Sequence, residues 1–139
     1  MIVFENARKN YGNVEAVKSL NLKVAPGECF GFLGPNGAGK TTTIKMLAGL
    51  LIPTSGRVFI DGHDIQKEPE KAKSVIGFIP DNPFIYEKLT GNEFLDFMLD
   101  LYGMKREEAL DERRKFLELF SLTEWQDELV ENYSHGMKQ

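Results

Sequence analysis

The sequence predicts an α/β fold with an antiparallel β part at its N-terminus, a partial parallel-sheet core and a helical subdomain at its C-terminus. Three observations predict it. The first stretches alternate apolar and polar residues, the period of half-buried strands. A glycine-rich loop stands between an apolar run and a stretch of helical period. From Gly91 onward the chain turns acidic and helical.

The elements follow in order. "MIVFENARKNY" and "KSLNLKVA" read as strands, with Pro26-Gly27 as the turn after them. "ECFGFLG" is a nearly continuous apolar run, as expected of a strand buried on both faces. In "GPNGAGKTTTIKMLAGLL", Ile44, Leu47, Ala48 and Leu51 mark a helix with one face on a core, closed by Pro53. "GRVFIDG" reads as a strand ending in an Asp-Gly turn, and "SVIGFIP" as a second buried strand. "NEFLDFMLDLYG" and "REEALDERRKFLELF" read as helices. In the second, Ala109, Arg113, Phe116, Leu117 and Phe120 are expected to face inward. Ser134, ahead of His135 and Gly136, is a candidate N-cap for a last helix. The expected division is a core over 1–90 and a helical subdomain over 91–139.

Composition excludes several classes. A length of 139 residues suits one domain with its own core, and 42% hydrophobic with 27% charged residues are those of a soluble globular protein. A net charge of -4 argues against a nucleic-acid binder. The N-terminus lacks the pattern of a secretory signal, and no apolar run approaches the ~20 residues of a membrane span. The single cysteine, Cys29, is expected to be buried, in a reducing cytoplasm.

The chemistry-bearing motif is "GPNGAGKT", which fits G-x-x-x-x-G-K-[ST] at Gly34, Gly39, Lys40 and Thr41. Glycines let the backbone curl so that successive N–H groups face phosphate oxygens, and the helix behind adds its positive dipole end. Lys40 can reach the outer phosphates, and the Thr41 hydroxyl can ligate Mg²⁺. With an apolar run before it and a helical stretch after it, the motif makes the fold a P-loop NTPase. By itself it leaves kinases, GTPases, motors and transport ATPases open.

Four stretches narrow that choice: Tyr11-Gly12, "GPNGAGKTT", "PTSGRVFIDG" and "YSHGMKQ". Together they make the chain resemble, from about Ile2 to Gln139, the ATP-binding subunit of ABC transporters. The resemblance implies Mg-ATP as ligand, held by Asn36, Gly37, Ala38, Gly39, Lys40, Thr41 and Thr42, with Tyr11 stacking on the base. It implies that Ser134 and Gly136 bind the ATP held by the other subunit of a head-to-tail dimer, homomeric or heteromeric. It also implies a transmembrane permease partner and a cytoplasmic place at the inner face of the membrane.

The chain departs from the family pattern at three places. Asp81 stands where the family has a glutamine that contacts Mg²⁺, and His135 and Met137 depart from the signature Leu-Ser-Gly-Gly-Gln. Asp81 can bind metal but cannot donate a hydrogen bond when ionised; it also reads as the start of a "PDNP" turn. By itself Tyr11 reads as strand packing, and the family position is what makes it a base platform.

The family's Walker-B strand and switch histidine are both missing. Asp61, at the end of "RVFID", is read as a hairpin residue rather than a Walker-B aspartate. The expectation is an N-terminal portion of a longer domain, binding ATP without turnover while the parent protein hydrolyses it. Loss of the Walker-B strand is expected to leave unpaired sheet edges. In "NEFLDFMLDLY", Phe97 and Leu99 fall outside the main apolar face, as part of a thick core or of a docking patch for a membrane subunit. A soluble P-loop kinase and a nucleotide-binding switch that does not hydrolyse remain the rival readings.

Overall fold

Alternation at the N-terminus becomes two long antiparallel strands, β1 (Ile2–Tyr11) and β2 (Val14–Val24), paired from Ile2 opposite Val24 to Tyr11 opposite Val14. The computed structural model describes residues 1–139 and divides into two compact units, Met1–Phe78 and Ile79–Gln139. That division falls ahead of the change in composition at Gly91.

In the first unit, β3 (Ser55–Ile60) pairs antiparallel with β1, and the short β4 (His63–Asp64) folds back on β3. The strand order is β2-β1-β3-β4. Asp61 and Gly62 turn the β3–β4 hairpin with φ of 47° and 84°, the left-handed pair that matches strand twist. Two helices belong to this unit, α1 (Lys40–Leu47) and α2 (Pro69–Ser74). The core gathers Phe4, Ala7, Val17, Met46, Val58 and Ile60.

The stripe expected on α1 is rotated. Thr43 and Met46 are its buried side chains, Leu47 and Leu51 pack partly against the core, and Ile44 is 41% exposed. Only the Thr43–Met46 side of the helix meets the sheet. The helix also ends before Pro53: Gly49, at φ 66°, bonds its N–H to Met46 O at 3.0 Å and closes it as a left-handed cap.

Neither buried strand forms. Residues 28–34 carry no regular secondary structure and no strand pairing, and residues 74–80 carry only the end of α2 before an unpaired stretch. The partial parallel core is therefore not formed within these residues. A strand exists only through its ladder, and neither segment has a partner; the four-stranded sheet ends at β2 and β4 as open edges. Phe30, Leu33, Phe78 and Ile79 stand exposed in consequence, Leu33 at 93%. Cys29 lies in the first of these segments and is exposed, contrary to expectation.

In the second unit, α3 (Gly91–Leu101) starts at a capping box. Thr90 Oγ1 accepts from Glu93 N at 3.2 Å, and Glu93 Oε2 accepts from Thr90 N at 2.8 Å. α4 (Arg106–Leu119) pairs with it through Arg113, which is only 16% exposed and donates to Asp96 Oδ1 at 2.6 Å and to Asn92 Oδ1. Ala109 is buried as expected, but Phe116 and Phe120 are exposed and stacked on each other at 6.4 Å. Asn92, in the first turn of α3, already meets Arg113, so these rings lie past the start of α3. Phe97 is partly exposed and meets the Tyr86 ring edge-on at 5.2 Å.

The strip before α3 runs alongside residues 128–131, with Val130 N bonded to Leu89 O at 2.9 Å and Glu131 N to Glu87 O at 3.0 Å. The unit ends in a single turn, α5 (His135–Lys138), and Ser134 is its N-cap, its hydroxyl accepting from Met137 N at 3.3 Å.

Candidate functional site

The glycine-rich loop curls between Gly34 and Thr42 because two of its residues adopt left-handed backbone: Gly37 and Gly39, both at φ 83°. Pro35 O accepts from Ala38 N at 3.2 Å and tightens the bend. Gly39 is doubly restricted. A Cβ there would run into the carbonyl oxygen of Ala16 and lie 3.2 Å from Val17 Cγ2. The loop is thus seated directly on β2.

The first bond into α1 runs from Thr43 N to Gly39 O at 2.8 Å. Ahead of it, the N–H groups of Gly37, Gly39, Lys40, Thr41 and Thr42 have no acceptor in the protein. They are the free donors expected of a helix start, joined to those of the loop. The first turn of α1 carries no acidic side chain, so nothing offsets the positive end of its dipole. Lys40 folds back over the loop, donating to Gly34 O at 2.5 Å and Pro35 O at 2.7 Å. Carbonyls are weaker partners for an ammonium than an anionic oxygen would be. The arrangement is an anion cradle with its cation in place.

Polyphosphate fits this donor set, which offers a row of N–H groups and one lysine, with no acid in the first turn of α1. Mg²⁺ fits only as an ion held mainly by phosphate oxygens and water. The exposed Thr41 offers one hydroxyl, and no group of three or more His, Cys, Asp or Glu side chains gathers anywhere to hold a metal.

Beside the loop lies an open cleft of about 400 Å³, lined by Glu15, Ala16, Val17 and Lys18 of β2, by Phe32, and by Gly37 and Ala38. The sequence reading missed the β2 residues. They have no local signature, since the packing of Gly39 on Ala16 alone brings them to the loop.

The remaining candidates are spread over both units. Asn36 through Thr42 come together in one loop. Tyr11 ends β1 half-exposed, with Lys9 Nζ 5.5 Å from its ring centroid. Asp61 sits in the β3–β4 turn as expected, its N–H bonded to Met1 O at 2.8 Å. Asp81, Ser134 and Gly136 belong to the second unit and are exposed. There the Asp81 carbonyl accepts from Gln139 Nε2 at 3.2 Å. The Lys138 ammonium, 2.8 Å from Glu87, holds the Glu87 carboxyl below its ordinary pKa, first through the hydrogen bond and then by charge.

The family model described as ABC transporter matches residues 17–139. The linearmycin resistance ATP-binding protein LnrL of Bacillus subtilis (strain 168) is 42% identical over 139 residues, all of this chain and 45% of the relative. The bacitracin transport ATP-binding protein BcrA of Bacillus licheniformis is 42% identical over 131 residues, 94% of this chain and 42% of the relative. The chain thus spans less than half the length of these curated relatives. Among solved structures, an ATP-binding subunit of an ABC transporter superposes with a TM-score of 0.89 at 30% identity, over 99% of this chain and 57% of that one. A dimeric bacterial ABC transporter cassette superposes at 0.84 with 26% identity, over 99% of this chain and 65% of that one.

Proposed function

The chain belongs to the ABC transporter family, and we propose that its loop from Gly34 to Thr42 binds Mg-ATP to power transport by the whole protein. The observation that carries this reading is the set of unpaired N–H groups of Gly37, Gly39, Lys40, Thr41 and Thr42, with Lys40 folded over it. The N–H row binds the β-phosphate. Lys40 exchanges its carbonyl partners for phosphate oxygens, and Tyr11 stacks on the base. The Thr41 hydroxyl, with phosphate oxygens and water, would hold Mg²⁺. That ion, when bound, would neutralise charge between the outer phosphates.

Ser134 and Gly136 are proposed to reach the ATP of a second ATP-binding subunit, and a transmembrane permease is proposed as the further partner. Support comes from the dimeric cassette among the structural relatives and from the relatives named for transport and resistance. No helix is long and apolar enough to cross a membrane, and a place at the inner membrane face, through the permease, is proposed with it. Turnover is assigned to the whole protein. No apolar strand ending in an acidic pair occurs among these 139 residues, and these alone are proposed to bind ATP without hydrolysing it.

The test is ligand-linked stability. At ~100-fold excess over Kd, ATP should raise the unfolding free energy by about 2.7 kcal/mol. Lys40→Ala should erase most of that gain. No gain in the wild type, or an equal gain in the variant, would overturn the reading.

A further inference from the structure

α5 is one helical turn, too short to hold itself in water, yet it presents Ser134 and Gly136. Three contacts hold it. Ser134 caps it at its start, where Oγ accepts from Met137 N. At its end, Lys138 Nζ lies 2.8 Å from Glu87 Oε1, and Gln139 Nε2 donates to Asp81 O at 3.2 Å. Two of the three reach back to the strip between Asp81 and Leu89. That strip is itself tied to residues 130 and 131 by two backbone bonds.

The ion pair differs from the others on this surface. Lys138 is only 20% exposed, so its stem is held and its ammonium aimed, whereas Lys88, which pairs with Glu131 close by, is 83% exposed. A pair between freely moving side chains orients nothing, and a held lysine does. The facing charges are Glu87, Lys88, Glu131 and Lys138, and they pair off as Glu87 with Lys138 and Lys88 with Glu131.

We propose that Glu87 and Lys138 are positioning residues: their ion pair couples the Asp81–Leu89 strip to the turn that presents Ser134 and Gly136. The held ammonium fixes the turn against the strip, and with it the placement of Ser134 and Gly136. The inference rests on the reading above that Ser134 and Gly136 meet a second subunit's ATP.

The experiment is a charge-swap cycle in the full-length protein: Glu87→Lys, Lys138→Glu and the double exchange. Two readouts are taken on each variant. The first is hydrogen exchange at the Met137 N–H without nucleotide, which reports the strap directly. It should speed up in both single variants and slow again in the double. The second is ATP turnover, with Kd for ATP measured separately. Each single variant should lower kcat about tenfold with Kd unchanged, and the double should recover to within about twofold of wild type.

Recovery in the double variant overturns a merely additive role, because two independent defects would multiply. Exchange that is indifferent to the swap overturns the strap. A kcat indifferent to it, with exchange responding, overturns its role in positioning. A wild type that binds no ATP would overturn the functional reading and the positioning role resting on it, leaving the exchange result to decide the strap.

Discussion

At Gly39 the backbone needs left-handed φ, and the carbonyl of Ala16 leaves no room for a Cβ. Gly39→Ala should therefore cost about 1–3 kcal/mol in a urea titration, and it should abolish stabilisation by ATP, because the loop must lift off β2. A variant as stable as wild type that still responds to ATP would contradict this. The loop residues were legible in the sequence because their chemistry depends on spacing along the chain, from Gly34 to Thr41. Ala16 and Val17 were not, since only packing puts them under Gly39. Cys29 was misread for a related reason. Apolar neighbours bury a residue only when the strand they belong to finds partners.

Among the elements, α3 depends on its start. Thr90 and Glu93 each satisfy the other's backbone donor, so Thr90→Ala should cost about 1 kcal/mol. A shift in urea midpoint without a change in slope would be its signature, and no shift would refute the box. Between α3 and α4, Arg106 donates to Asp100 through both Nε and an NH2 group, holding that carboxyl below its ordinary range. A depressed folded-state pKa means that the contribution is complete above the unfolded value of about 3.9 and is lost as pH falls through the folded one. Arg106→Met should return the Asp100 titration, followed by carboxyl NMR, to the ordinary range; an unmoved titration would exclude Arg106 as the cause. The helical period placed α4 correctly. It could not show that α3 starts beside Arg113, and so it placed Phe116 and Phe120 inside when both are exposed.

For the whole molecule, the apolar runs around Phe30 and Ile79 are the exposed liability. The 139-residue chain should bind an apolar fluorescent dye and associate as its concentration rises. Leu33→Ser and Ile79→Ser should weaken both effects while changing stability by no more than about 0.5 kcal/mol, since neither side chain is buried. Dye binding unaffected by both substitutions would place the sticky surface elsewhere. By itself the sequence determined the antiparallel strands, the Asp61-Gly62 hairpin, the glycine-rich loop, the two long helices and the Ser134 cap. Each of these is set by neighbours along the chain: an alternation, a turn pair, a spacing or a capping hydroxyl. Tertiary structure alone decided which side of α1 is buried, that the Ala16–Val17 backbone forms the floor of the loop, and that Glu87 reaches Lys138. It also decided that the two apolar runs stay unpaired. These depend on groups far apart in sequence meeting in space, and a hydrogen-bond ladder or a packed face forms only when the second partner is there.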